Sequence, residues 1–243
     1  MTIPPFHWWR TVFFLIPAIS VYTIVLGTLS IASSMGNGRG HFAHRCARAW
    51  SWLILRTTGV HVTVEGVEHL TPARTYVFVS NHQSIYDIPI LFWSLPYQLR
   101  IIAKASLGNF PFLGWHLRRT GHMLINRRRP ERSALLEWAS RLTANGLSLI
   151  VFPEGTRSGD GRVARLKGGS FYLALEAGLP VVPVSIVGSR HVMLKGRLAT
   201  YPGRVRVVVH SPIETTDLAG SDTGAFGERV RAIVRPIAEL DVA

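Results

Sequence analysis

Asn81, His82, Gln83, Ser84 and Asp87 crowd into the stretch VFVSNHQSIYDIPIL, residues 77 to 91, whose two ends are apolar. Polar side chains inside an apolar frame must find partners or cost stability. Histidine, with an ordinary pKa of about 6.5, suits proton removal near neutrality. A carboxylate five residues on, brought round by a strand-to-helix turn, would set the imidazole tautomer and stabilise the imidazolium. The chemistry that this pair fits is deprotonation of an alcohol as it attacks a carbonyl. The same letters also spell a helix start, because Ser84-x-x-Asp87 is a capping-box variant. Pro89 complicates that reading, since proline fits best at the first helical position. Taken alone, the residues leave both readings open.

A second cluster lies in LIVFPEGTRSGDGR, residues 149 to 162, where a buried strand runs into Pro153, Glu154, Gly155, Thr156 and Arg157. Glycine lets backbone N–H groups approach an anion, and arginine can grip phosphate with two hydrogen bonds. An ordinary polar loop is the plain alternative. GHMLINR delivers Arg127 at a strand end, with Arg128, Arg129 and Arg132 behind it, a run that also reads as a solvated basic turn. Lys104, after RIIA, is similar. The chain has no G-x-S-x-G elbow, H-E-x-x-H pair or phosphate-binding Walker loop. His41 and His44 have no acidic or cysteine companion nearby, so no metal site is expected.

These residues need a scaffold, and 243 residues suffice for one domain with an appendage. Lys plus Arg number 27 against 14 Asp plus Glu, a formal charge of +13 that calls for an anionic partner. Nucleic acid, anionic lipid and a phosphorylated substrate all qualify. Aromatic residues concentrate near the N-terminus rather than among the basic runs, which argues against nucleic acid. Cys46 is the lone cysteine, so neither an intrachain disulfide nor a cysteine metal cluster is available.

From residue 59 onward, VHVTVEG, TYVFVS, RIIAK, HMLI, LSLIVF, VVPVSIVG and GRVRVVVHSPI read as strands. PERSALLEWASRLTANG, GGSFYLALEAG and residues 223 to 239 read as helices between or after them. This alternation predicts an α/β fold with a mixed, mainly parallel sheet flanked by helices. Residues 1 to 58 form a separate N-terminal segment without a single Asp or Glu, and residues 59 to 243 the α/β domain. Val12 to Met35 meets the length of about 20 residues that a bilayer core requires, as a membrane helix or as part of a hairpin. A cleaved signal peptide and a buried core helix are the alternatives. RGHFAHRCARAWSWLILRTTG, with Phe42, Cys46, Trp50 and Leu53 on one stripe, reads as an amphipathic interfacial helix. Arg10 alone precedes the apolar run, and Arg39, Arg45, Arg48 and Arg56 follow it. If the run spans the bilayer, that asymmetry places the rest of the chain at the cytoplasmic face of the inner or plasma membrane.

Taken in order, these pieces resemble the glycerolipid acyltransferase family, specifically its 1-acylglycerol-3-phosphate acyltransferases. NHQSIYD looks like the family's Asn-His-x4-Asp block, and GHMLINR resembles its second block, with Leu124 where Phe is common. FPEGTRS resembles the most distinctive block and VVPVSI the fourth. AKASLGNFPFLGW also fits, with Lys104, Pro111 and Gly114 in the expected places. The resemblance implies a membrane-associated enzyme of phospholipid biosynthesis that moves an acyl group from acyl-CoA or acyl-carrier protein to a lysophospholipid hydroxyl, making phosphatidic acid. It implies His82 as general base and Asp87 as its orienting partner. Arg127, Glu154, Gly155, Thr156 and Arg157 would hold the acceptor's phosphate and shape its site, with Lys104 assisting. No bound cofactor or metal is implied, because the thioester is already activated. An anionic membrane surface and acyl carrier protein are implied partners, and nucleic acid is not. Rival readings are the same chemistry on glycerol 3-phosphate or lyso-ornithine lipid, a lipid hydrolase using water, and a non-enzymatic anionic-lipid-binding protein.

Overall fold

Valine at alternate positions in VHVTVE builds the first strand, β1 (Val60–Glu65), one face of which meets the core. A computed structural model describes residues 5–33, 40–72, 74–126, 132–218, 220 and 222–242. Arg127, and the turn expected at GNGRG apart from Gly40, lie outside the described residues. The remaining strands are β2 (Val77–Ser80), β3 (Leu99–Lys104), β4 (Met123–Ile125), β5 (Ser148–Val151), β6 (Val181–Val187) and β7 (Gly203–Val209). They join in one seven-stranded sheet of order β1-β7-β6-β2-β5-β3-β4. Every neighbouring pair is parallel except β6 with β7. The expected mixed, mainly parallel sheet is therefore present. Parallel strands need crossovers, and helices covering both faces make central strands apolar throughout. Accordingly β2 and β5 are buried at every position.

The helices are α1 (Phe6–Ser33), α2 (His41–Thr58), α3 (Asp87–Ser94), α4 (Leu113–Arg119), α5 (Arg132–Ala144), α6 (Tyr172–Glu176), α7 (Ser189–Val192) and α8 (Thr223–Ala238). Alternation along β2 separates two cores. Phe78 packs with Val182, Val184 and Val207, beneath Ile54 and Leu55 of α2 and Ile90 and Leu91 of α3. Val77 and Val79 point the other way, toward Leu135 and Ala139 of α5 and Phe226, Val230 and Val234 of α8. Each fully buried aliphatic side chain of this kind is worth about 1.5–3 kcal/mol.

The acid-free N-terminal segment folds onto this body rather than standing apart. Arg10 donates to the carbonyls of Thr57 (3.2 Å) and Thr58 (2.8 Å), and Thr200 N–H donates to Thr11 Oγ1 at 2.9 Å. At the other end of α1, Ser30 Oγ and His116 Nδ1 stand 2.8 Å apart. Between them Trp50 Nε1 donates to Thr23 Oγ1. The outward side of α1 stays apolar and open, with Phe6, Phe13, Phe14, Val21 and Val25 exposed. Only 6% of its apolar window is buried, so the core-helix alternative fails. The stripe that periodicity suggests on α2 does not act as one face. Cys46 is buried together with Ala43, His44, Ser51, Ile54, Leu55 and Thr58, while Trp50 donates to Thr23 of α1 and Phe42 is exposed.

Candidate active site

β2 ends at Ser80, and Asn81 clamps that end to β6. Its amide donates to Ile186 O at 2.9 Å and accepts from Ile186 N at 2.8 Å. The chain leaves the sheet at His82 and turns into α3, which begins with Asp87. Asp87 is fully buried, and its Oδ2 accepts from His82 Nδ1 (2.7 Å), Gln83 N (2.7 Å) and Ser84 N (2.9 Å). One carboxylate oxygen thus holds the turn and the imidazole together. The helix-start reading holds in part: Asp87 reaches back to backbone amides, but Ser84 Oγ donates to Met193 O instead of capping. With Nδ1–H directed at Asp87, the neutral imidazole presents the lone pair of Nε2. The His82 side chain keeps 17% exposure, so a substrate hydroxyl can reach that nitrogen. Its ring lies against Phe152, centroids 4.1 Å apart and nearly parallel.

β5 runs parallel beside β2 and delivers Pro153–Arg157 to the same rim. Glu154, 4% exposed, spends both carboxylate oxygens on backbone: Oε1 accepts from His82 N (2.8 Å) and Oε2 from Ala164 N (3.1 Å). Burial pushes the Glu154 carboxyl above its ordinary range, and the two amide donors oppose that push. Ser158 N donates to His82 O at 2.7 Å. Both main-chain polar groups of His82 are therefore held by the PEGTRS loop. Of the two parts of the expectation for Glu154, holding the acceptor's phosphate and shaping its site, these contacts bear on the second: both carboxylate oxygens are taken up by backbone amides that frame His82.

Gly155 has φ +75°, the left-handed region where side chains are strained, and a Cβ there would stand 2.7 Å from Lys167 Nζ. Thr156 is exposed and Arg157 half-buried on the same loop, with the Arg157 carbonyl accepting from Lys195 Nζ at 2.8 Å. Lys104 is exposed at the carboxyl end of β3, paired in register with Ile125 of β4. The structure thus brings His82, Asp87 and Glu154 into direct contact. It puts Gly155, Thr156, Arg157 and Lys104 on one rim at the carboxyl ends of parallel strands, where α/β folds bind ligands. Lys167, Lys195 and the stacking role of Phe152 escaped sequence reasoning. Phe152 sits within FPEGTRS and carried that much of a signal; the two lysines carried none.

The profile of the acyltransferase family matches residues 61–187. A 1-acyl-sn-glycerol-3-phosphate acyltransferase of Chlamydomonas reinhardtii is 39% identical over 178 residues, 72% of this chain and 53% of that protein. The alpha enzyme of the same name from Bos taurus is 31% identical over 224 residues, 90% of this chain and 77% of that one. The crystal structure of the 1-acyl-sn-glycerophosphate acyltransferase PlsC from Thermotoga maritima superposes with a TM-score of 0.74 at 29% identity, covering 91% of this chain and 93% of that one. The chain spans about half the length of the algal and chloroplast relatives it matches. The match of family profile, sequence relatives and fold shows that this chain belongs to the acyltransferase family.

Proposed function

We propose that the protein transfers a fatty acyl group from a thioester to the free hydroxyl of 1-acylglycerol 3-phosphate, yielding phosphatidic acid. The observation that carries the reading is the 2.7 Å His82–Asp87 contact standing beside the PEGTRS loop. His82 Nε2 takes the hydroxyl proton as the alkoxide oxygen bonds to the thioester carbon. The C–S bond then breaks, and the imidazolium returns the proton to the departing thiolate. Asp87 supports the charge on the ring, while Glu154 and Ser158 hold its backbone. Arg157 and Lys104 on the rim supply positive charge for the acceptor's phosphate, Arg127 is assigned the same role from its motif alone, and Gly155 leaves room beside Lys167. The donor is acyl-CoA or acyl-carrier protein, and both leave as thiols.

The exposed side of α1, flanked by Phe42, Trp52, Phe110 and Trp115, supports shallow burial in one leaflet at the cytoplasmic surface. Polar contacts that tie α1 to α2, α4 and residue 200 favour that over a free span. Replacing Phe13 and Val25 by Asp leaves the core untouched and should move the chain from membrane to soluble fraction. Unaltered partitioning sinks the docking surface.

The activity is tested with purified protein, oleoyl-CoA and a panel of lysolipids, with products identified by mass spectrometry. Phosphatidic acid should form fastest, and His82→Ala should slow it by about 10²–10⁴-fold. Faster turnover of glycerol 3-phosphate or lyso-ornithine lipid would change the acceptor. Absence of any acyl transfer would leave a lipid-binding protein.

A further inference from the structure

Arg100 is the one buried lysine or arginine among the described residues, at 3% exposure. No ion pair among those residues includes it. Its Nη1 donates to the adjacent carbonyl of Leu99 at 2.9 Å, and its Nε has no partner. Around it stand histidines rather than carboxylates. His44 is 8% exposed and its Nδ1 is also unpartnered, while its ring bonds the backbone of Tyr97. His122 accepts from Ile101 N at 3.1 Å, and His116 bonds Ser30. Burial, and then the charge of Arg100, hold His44 and His116 down at about 4.

The guanidinium also occupies an unusual position. A Cβ on Gly40 would lie 2.7 Å from Arg100 Nη2, and Gly40 is the N-cap of α2, an 18-residue helix. The amino end of a helix carries unpaired N–H groups and a partial positive charge, so it favours anions and disfavours cations. No acid stands in the first turn of α2, and none occurs anywhere before Glu65. A buried guanidinium, a helix amino end and the open Nδ1 of His44 therefore converge, and among the described residues no carboxylate pairs with the guanidinium. A single anion would satisfy the guanidinium and the helix N–H groups, while the Nδ1 lone pair of neutral His44 would accept from a protonated phosphate oxygen.

We infer that the notch formed by the amino end of α2, Arg100 and His44 binds a phosphate-class oxyanion, outside the catalytic rim. The site is separate because Arg100 is the second residue of β3 and Lys104 its last, roughly 13 Å apart along an extended strand. Phe42, in the first turn of α2, is exposed, so the notch borders the apolar surface where phospholipid headgroups lie. The phosphate belongs either to a membrane phospholipid or to free inorganic phosphate.

The test uses the full chain in detergent micelles with labelled histidine side chains. Inorganic phosphate, against chloride of equal ionic strength, should move the imidazole signals of His44 and His122 saturably. Arg100→Met should weaken this response by about tenfold or more, the worth of a charge-assisted hydrogen bond. Arg157→Ala, which alters the catalytic rim, should leave it intact. A second arm compares vesicles of phosphatidylcholine alone with vesicles containing phosphatidic acid. Selective loss of the phosphatidic acid preference in Arg100→Met identifies a lipid headgroup, and a response to phosphate without that preference identifies the free anion. If neither phosphate nor phosphatidic acid moves the His44 signal, or chloride does so equally, the site does not exist. The wild-type titration decides this even if Arg100→Met fails to fold.

Discussion

Asp87 and Arg100 are both buried charged residues, and the chain treats them in opposite ways. Asp87 is ringed by three N–H donors on one oxygen, all from residues within five positions of it, although its Oδ1 has no partner. Arg100 has one neighbouring carbonyl, a helix amino end and neutral histidines. A buried charge whose one oxygen gathers three local donors serves to hold something still, here the imidazole of His82. A buried charge left short of partners stores the capacity to bind an ion from outside.

The largest effect that would break this contrast lies at the catalytic pair. His82→Ala should lower turnover by about 10²–10⁴-fold with the fold intact by circular dichroism. A normal rate in that variant would remove the base from the mechanism. Next comes acid. His44 and His116 have folded pKa values of about 4 against an ordinary 6.5, so they stay neutral in the fold and take protons on unfolding. Their contribution is complete above pH 6.5 and is lost as pH falls from 6.5 toward 4, on the order of 3 kcal/mol per histidine. Denaturant midpoints across that window should fall in the parent and less steeply in His44→Phe. Saturating phosphate should also soften the decline.

Glu154→Ala should cost turnover about 10²-fold through misplacement of His82, with the acceptor KM little changed. Glu154→Gln keeps one acceptor oxygen and should recover part of the rate. A raised acceptor KM with unchanged kcat would return Glu154 to the phosphate. Smallest is Arg157→Ala, expected to raise the acceptor KM by about tenfold, as loss of one charged contact does. A pure kcat loss there speaks against phosphate binding.

Much of the architecture was legible in the chain. The valines of β1 and β7, the apolar runs of β2, β5 and β6, and the breaks around them mark every strand of the sheet within a few residues. The His82–Asp87 pair was legible because both residues lie in one turn. Glu154 was legible as part of a motif but not as a frame, since its partners His82 and Ala164 are 72 and 10 residues away. Arg100 sits in LRIIAK and looks like an ordinary polar residue beginning a strand.

By itself the sequence determined the alternation of strands and helices, the acid-free apolar N-terminus and the local His/Asp turn. All of these depend on side-chain period and on bonds between near neighbours. Tertiary structure alone decided which residues of α2 are buried, that the PEGTRS loop grips the backbone of His82, and that Arg100 ends beneath the amino end of α2. Those outcomes depend on which distant segments the parallel crossovers place side by side. Burial and the presence or lack of a partner are properties of that arrangement, and no local pattern encodes them.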